Sequence, residues 1–172
     1  MSMRSVCCLS LAVFVALPVL AESPGLGAPI DQQTLTAIDY TILPDGDGLP
    51  PGSGTAVEGL TVYRQNCVAC HGEGGTGGVN DVLAGGIGSL ASDKPLRTIG
   101  SFWPYATTVF DYVRRAMPLP NPGVLSDDEL YAVTAYLLYV NDIIGENELM
   151  SAKSLPLVQM PNRDGFTREW QE

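Results

Sequence analysis

The sequence has little positive charge and a single histidine. Its 172 residues include nine Lys and Arg against 19 Asp and Glu, which gives a net charge of −10. Nucleic acids and anionic membrane surfaces attract basic patches, so this acidity argues against both as partners. With one histidine, the chain cannot form a histidine-rich metal site. No internal repeat is visible, and the length suits one domain with extensions.

Long apolar runs are also missing, except at the start of the chain. Residues 1–21 combine a short positive beginning, the apolar stretch "VCCLSLAVFVALPVL" and small residues that end at Ala21. This pattern is typical of a cleavable export signal, and the stretch is too short and interrupted for a convincing membrane span. We therefore expect export to the periplasm, loss of Cys7 and Cys8 with the signal, and no membrane span in the mature protein. Retention as an uncleaved anchor is the alternative.

The two cysteines that remain lie in "CVACH", as Cys67 and Cys70 with His71 directly after them. A structural zinc site needs four ligands, and two cysteines and one histidine leave it incomplete without carboxylates. A thioredoxin-like pair expects a βαβ context, whereas here a helical pattern precedes the motif and a glycine-rich loop follows it. The motif therefore favours covalent attachment of one haem c. Cys67 and Cys70 would form the thioethers, and His71 would be the proximal iron ligand.

The second axial ligand of such an iron cannot be histidine from the same chain. Three methionines follow the export signal: Met117, Met150 and Met160. Met117 begins the proline-rich "MPLPNPG", whose fixed backbone dihedrals would hold a thioether against iron. We favour Met117, with Met160 or an open, water-filled position as alternatives. Histidine–methionine ligation favours electron transfer over oxygen chemistry.

Three segments have helical spacing of apolar residues: "TAVEGLTVYRQNC", "PYATTVFDYVRRAM" and "LSDDELYAVTAYLLYVN". The third begins with Ser and Glu at the spacing of a capping box. A glycine within a helix permits close approach of another helix. We therefore expect Gly59 and Tyr63 of the first segment to cross against Val133 and Tyr136 of the third.

A glycine-rich loop, "GEGGTGG", follows the cysteine motif and fits the dinucleotide pattern G-x-G-x-x-G. That pattern requires a preceding strand and a following helix, which are not indicated here. The glycines more plausibly let the loop lie against the haem. Buried propionates need charge-assisted or hydrogen-bonding partners, and Arg97, Trp103 and Tyr105 are the best-placed donors.

The second helical segment ends with Arg114 and Arg115. Positive charge at this position complements the helix dipole, which is the simplest role for both. The alternative is a place in a docking rim near Met117.

The stretches "PDGDGLPPGSG", "GGIGSL", "FWPYATTVFDYVRRAMP", "LSDDELYAVTAYLLY" and "MPNRDGF" resemble the haem subunit of Sox-type sulfur dehydrogenases, a class I cytochrome c. The resemblance runs from about residue 38 to residue 166. It implies an all-α fold, with three to five helices around the covalently bound haem. It also implies Cys67 and Cys70 as attachment points, and His71 and Met117 as axial ligands.

The resemblance further implies that electrons arrive from the catalytic subunit of a molybdenum-containing sulfite or sulfur dehydrogenase. They would leave to a downstream cytochrome c or a terminal oxidase. The chain would then be the electron-transfer subunit of an oxidoreductase rather than the catalyst itself. The alternatives are a stand-alone carrier, or a haem peroxidase or gas-binding protein with an open sixth position.

This sequence departs from the family pattern in two ways. The Sox subunit carries a second haem region, whereas this chain has one attachment motif. Many class I cytochromes also have a proline soon after the motif, whose carbonyl orients the proximal histidine, but here none occurs before Pro95. We therefore expect a carbonyl of the glycine loop, from Gly77 or Gly78, to accept from the Nδ1–H of His71.

The rest of the chain is assigned by composition. Residues 22–54 are rich in Gly and Pro and are predicted to form an extended arm over the surface of a cytochrome domain at residues 55–142. Residues 143–172 form a polar tail that contains Phe166 and Trp170. Large aromatic side chains there favour docking on this domain or on a partner.

Overall fold

A computed structural model describes residues 25–167 of the chain. The expected export signal at residues 1–21 and the tail residue Trp170 lie outside the described residues. The described part falls into two units that divide between Ile38 and Asp39. The first contains helix α1, Gln32–Ile38, whose first turn is capped by the Asp31 carboxylate accepting from the Thr34 N–H at 2.8 Å. The second unit holds the sequence motifs.

The second unit is mainly helical. Its helices are α2 (Ala56–Asn66), α3 (Val68–His71), α4 (Ile99–Phe102), α5 (Ala106–Ala116) and α6 (Asp127–Tyr139). Short 3₁₀ turns occupy Glu73–Gly75, Ser89–Ala91 and Leu155–Leu157. Two short strands, β1 (Ser53–Gly54) and β2 (Met150–Ser151), pair antiparallel with Ser53 opposite Ser151.

Helices α2 and α6 begin in the same way. The predicted capping box of α6 is confirmed: the Ser126 side chain accepts from the Glu129 N–H, and the Glu129 carboxylate accepts from the Ser126 N–H at 2.8 Å. Helix α2 has an equivalent box formed by Thr55 and Glu58. Each box satisfies N–H groups that the first helical turn leaves without partners. The sequence therefore fixes where both helices start.

Helices α2 and α6 cross where α2 has a glycine. A Cβ on Gly59 would overlap the main-chain carbonyl of Ala132, and it would lie 2.8 Å from the Cβ of Tyr136. The ring centres of Tyr63 and Tyr136 are 4.9 Å apart. Tyr136 is thus confirmed as a crossing partner, but the close approach to Gly59 is made by Ala132 and not by Val133 as predicted. A backbone contact of this kind is set by helix rotation, which apolar spacing defines only within about one residue.

The core extends beyond the segment 55–142. Ile42 comes from the region expected to be a surface arm, while Met150, Leu155 and Met160 come from the tail, and all four side chains are buried. The compact unit therefore begins near residue 39 and includes the C-terminal segment as far as the structure describes it. Among the described residues, none of the helices combines the length and apolar character that crossing a bilayer requires.

Candidate functional site

The cysteine motif forms its own short helix, α3, directly after α2. The main-chain carbonyl of Cys67 accepts from the N–H groups of Cys70 and His71, at 3.1 and 3.0 Å. One helical turn therefore separates the two cysteines, with the imidazole at the end of that turn. Both thiols are half-buried and neither is in a disulfide.

The His71 ring is held by a main-chain acceptor. Its Nδ1 lies 2.8 Å from the carbonyl oxygen of Asp81, which can only accept, so the Nδ1 carries the proton. The Nε2 is then the nitrogen with a lone pair available for iron. The predicted acceptors, the carbonyls of Gly77 and Gly78, are wrong. The loop continues past Gly78 before it turns back, and the carbonyl of residue 81 lies beside the ring.

The loop packs directly on the attachment helix. The Asn80 N–H donates to the Cys70 carbonyl at 2.9 Å, and a Cβ on Gly78 would lie 2.6 Å from the Gly72 nitrogen and overlap the Cys70 carbonyl. From α2, the Tyr63 hydroxyl donates to the Gly72 carbonyl at 2.9 Å. Burial raises the pKa of Tyr63 to about 12, so this hydroxyl keeps its proton at neutral pH. The glycines therefore permit backbone-to-backbone packing around the motif.

A buried asparagine fixes the far end of the same loop. The Asn141 side chain donates to the carbonyls of Leu83 and Leu137 at 3.1 and 2.8 Å, and it accepts from the Gly85 N–H at 3.0 Å. Asn141 is almost fully buried at the end of α6. It therefore ties the segment after Asp81 to the main helix of the core.

The environment of the cysteines disfavours thiol–disulfide exchange. Burial raises the pKa of Cys67 to about 11, and the neighbouring Cys70 contributes in the same direction. Exchange requires a thiolate, which redox-active motifs obtain through a lowered pKa. Within residues 25–167, no three His, Cys, Asp or Glu side chains are grouped so that they could hold a metal ion, as a zinc site would require.

These residues fit covalently bound haem. Two unpaired thiols one turn apart can each form a thioether, and the adjacent imidazole has its Nδ1 occupied and its Nε2 free. Gly72 and Gly78 have no Cβ atom, so the glycine loop can pack directly against the motif at these two positions. Cys67 and Cys70 would hold the porphyrin, and His71 would bind its iron.

The methionines lie in different surroundings. Met150 and Met160 are buried in the core, where their side chains fill space among aliphatic and aromatic neighbours. Met117 lies at the end of α5, where its N–H still donates to the Val113 carbonyl at 3.0 Å. It is half-buried against the core, so it is the most exposed of the three methionines.

The three proposed propionate donors lie around α4 and the start of α5. Arg97 is exposed, and its guanidinium carbon is 5.5 Å from the ring centre of Phe102. Trp103 and Tyr105 are half-buried, and neither the indole N–H nor the phenol hydroxyl has a hydrogen-bond partner among residues 25–167. Arg163 from the C-terminal segment lies over Tyr105, at 4.7 Å from its ring centre. The structure thus brings a second arginine to this region, one that the sequence analysis missed.

Sequence reasoning also missed Asp81, Tyr63 and Asn141 as supports of the motif. The Asp81 contact uses a main-chain carbonyl and leaves no sequence signal. Asn141 was detectable in principle, because it follows a nearly continuous apolar helix and a buried amide must find hydrogen-bond partners. The Tyr63 hydroxyl had a similar signal, since a tyrosine on a buried helix face usually makes such a bond.

Comparison with known proteins defines the class of this fold. The family model of cytochrome c oxidase, cbb3-type, subunit III matches residues 54–137. The crystal structure of the sulfane dehydrogenase SoxCD from Paracoccus pantotrophus contains a chain 41% identical to this one, with a TM-score of 0.79. The match covers 86% of this chain and 73% of that chain. No curated protein sequence matches it.

The chain belongs to the class I cytochromes c, and its predicted all-α fold is confirmed. Membership of this class implies covalently bound haem c. Within the class, the chain resembles the haem subunit of the Sox sulfur dehydrogenases.

Proposed function

We propose that this protein is an exported electron carrier with one haem c. In this proposal, Cys67 and Cys70 attach the porphyrin, and His71 and Met117 bind the iron. The observation that carries the proposal is the position of the His71 ring. His71 directly follows the second of the two unpaired cysteines, and its Nδ1–H donates to the Asp81 carbonyl 2.8 Å away. That arrangement fixes the tautomer that a proximal ligand needs.

The bound haem would supply a one-electron ferric–ferrous couple. The chain's own residues would hold the haem in place and set its potential. The Asp81 acceptor makes the imidazole a stronger ligand and prevents its rotation. Met117, as the second protein ligand of the iron, would raise the reduction potential and leave no position for peroxide or a gas. The expected chemistry is therefore electron transfer without bond-making at the iron.

We further propose that the electrons come from the catalytic subunit of a molybdenum-dependent sulfite or sulfur dehydrogenase in the periplasm. They would leave to a downstream cytochrome c or a terminal oxidase. Support comes from the 41% identity to a chain of the sulfane dehydrogenase SoxCD, which extends over most of both chains. The signal-like residues 1–21 support the location.

The ligand assignment is tested by absorption spectra of the matured, oxidised protein. The wild type should show the long-wavelength sulfur-to-iron band, and Met117→Ala should abolish it. Met160→Leu is the matched control, because Met160 is a buried methionine whose loss leaves the proposed ligand in place. Loss of the band in Met160→Leu alone would assign the ligand to Met160. A high-spin wild type would support the open-site alternative.

The partner assignment is tested by mixing the holo-cytochrome with a purified molybdenum sulfur dehydrogenase and its substrate. Sulfite and a sulfane-sulfur substrate are compared. Rapid reduction of the haem by one of them supports the assignment. An enzyme that turns over with an artificial acceptor but does not reduce this cytochrome would exclude it.

A further inference from the structure

A cavity lies beside the end of α5, away from the cysteine motif in sequence. Its volume is about 380 Å³. One wall is formed by Tyr40 with Arg114 and Arg115. The other is formed by residues 122, 123 and 125, together with Asp127 and Leu130 at the start of α6. The segment that forms the second wall belongs to the connection that begins at Met117. The cavity is therefore built from the loop that carries the candidate axial ligand.

The two arginines of this cavity are in different states. The Nε of Arg115 forms an ion pair with Asp111 at 2.8 Å, and its Nη2 donates to the Tyr40 carbonyl at 2.8 Å. Its guanidinium carbon also lies 4.3 Å from the centre of the Tyr40 ring. Arg115 is therefore already paired with a carboxylate, and its bond to the Tyr40 carbonyl holds that residue in place.

Arg114 has no such partners. Its guanidinium carbon lies 5.8 Å from the Tyr40 ring centre, and among residues 25–167 no carboxylate is within ion-pairing distance of it. Asp127 lines the same cavity without pairing with it. The side chain is half-buried. A partly desolvated guanidinium with its five donors directed to no acceptor is a site for a carboxylate, which it can bind in bidentate geometry.

The connection that forms one wall of the cavity also exposes apolar side chains. Leu119 and Val124, on the connection between α5 and α6, are 70% and 50% exposed, and Tyr40 is 49% exposed. Tyrosine and arginine are the residue types enriched at the energetic centres of interfaces, and here the same connection adds exposed aliphatic side chains. In a chain with a net charge of −10, this position offers an unpaired positive charge to a partner.

We propose that the Arg114 cavity is the docking point for an electron-transfer partner protein and that it receives an Asp or Glu side chain from that partner. The inference rests on the proposed electron-transfer function. The incoming carboxylate pairs with Arg114, while Leu119 and Val124 contact the apolar surface around it. Docking then occurs on the connection that starts with Met117, and the Arg115–Tyr40 contact keeps the wall of the cavity in position.

The site is tested first without the partner. Holo-cytochrome labelled with ¹⁵N is titrated with a hexaglutamate peptide, and the amide shifts are mapped. Shifts should concentrate at Gly123, Leu125 and Asp127, and binding should be about threefold weaker in Arg114→Gln. Lys153→Gln is the control, because it removes the same charge from an exposed position in the C-terminal segment.

Three results would overturn the proposal at this stage. They are shifts spread evenly over the surface, equal weakening in both variants, and a sulfate titration that reproduces the same shifts at the same concentration. The last would indicate a site for small anions. Thermal unfolding of Arg114→Gln close to that of the wild type shows that the cavity wall is intact.

The second test uses the molybdenum sulfur dehydrogenase. The second-order rate constant for haem reduction should fall about threefold in Arg114→Gln at low salt, and the difference should disappear at high salt. Lys153→Gln should follow the wild type. If the enzyme reduces the wild type and Arg114→Gln equally, the docking site is excluded and the proposed function stands. If it reduces neither, the proposed partner fails, and the peptide titration decides the site.

Discussion

The α2–α6 crossing and the loop around His71 hold their parts together in opposite ways. At the crossing, side-chain size decides the fit: Gly59 has no side chain and lets the main chain of Ala132 approach, and the Tyr63 and Tyr136 rings pack with their centres 4.9 Å apart. Around His71, main-chain groups carry the structure, with carbonyls such as that of Asp81 as acceptors. Side-chain packing leaves a periodic pattern in the sequence, whereas main-chain hydrogen bonding leaves almost none. The difference explains which features could be foreseen.

The largest effect should come from breaking the crossing. Gly59→Ala places a Cβ against the Ala132 carbonyl, so α2 must move away from α6. We expect a loss of about 3 kcal/mol in the free energy of unfolding, measured by urea denaturation of the holo-protein. Gly145→Ala is the control, because its nearest atom would be a Glu148 carboxylate oxygen at 3.8 Å. Equal stability of the two variants would contradict close packing at the crossing.

The loop should be almost as sensitive to the loss of the Asn141 side chain. Asn141→Ala removes two donors and one acceptor that serve Leu83, Leu137 and Gly85, leaving buried main-chain groups without partners. We expect a loss of about 2 kcal/mol. Amide exchange at Gly85 should also become faster than global unfolding allows.

The exposed Asn147 provides the matched control, since Asn147→Ala removes no hydrogen bond that the described residues form. If amide exchange at Gly85 is unchanged in Asn141→Ala, the loop does not depend on this side chain.

Tyr63 belongs to both regions, because its ring packs in the crossing and its hydroxyl bonds to the loop. Tyr63→Phe keeps the ring contact with Tyr136 and removes the bond to the Gly72 carbonyl. We expect a loss of about 1 kcal/mol, measured by urea denaturation. Tyr139→Phe, at a more exposed tyrosine whose hydroxyl makes no bond among the described residues, should be neutral. If both variants lose a similar amount of stability, the loss does not come from the hydrogen bond between Tyr63 and the Gly72 carbonyl.

The smallest effect concerns the ends of the packed helices. Main-chain hydrogen bonding from Ser126, followed by its hydroxyl, lowers the pKa of Glu129 from its ordinary value of 4.5. The resulting stability is present above pH 4.5 and is lost as the pH falls through the lowered value. Glu129→Gln should therefore make the acid dependence of the urea midpoint shallower, with little change at pH 7, where glutamine also fits a capping box. Glu146→Gln should leave the wild-type slope, and a matching change there would contradict the assignment.

Most of the helical framework could be predicted because its signals are local. Ser126 and Glu129 are residue types that cap a helix, and the glycine at position 59 indicates a close contact. Each signal can be recognised from the residues concerned without knowledge of the fold. The partner of Gly59 was misplaced by one residue, from Ala132 to Val133, because spacing does not define helix rotation finely enough. Docking of the tail on this domain or on a partner was expected, but the core positions of Ile42 and Met160 were not identified, because they lie in segments without periodicity and depend on long-range packing.

The candidate site was predictable in its chemistry and not in its supports. The order of Cys67, Cys70 and His71 specifies the cofactor because few chemistries use it. The acceptor for the His71 ring was assigned to Gly77 or Gly78 by proximity in sequence, whereas the loop delivers the carbonyl of residue 81. Its path follows from glycine conformations and from Asn141, which lies far along the chain.

The bond between His71 and the Asp81 carbonyl has an evolutionary consequence. Every amino acid carries the same main-chain oxygen, so a replacement at position 81 that keeps the path of the loop keeps the acceptor. Point mutations at position 81 can therefore accumulate while the imidazole retains its anchor. Adding or deleting one residue between positions 72 and 81 would displace that oxygen, so selection has to preserve the loop length together with the glycines that set its path.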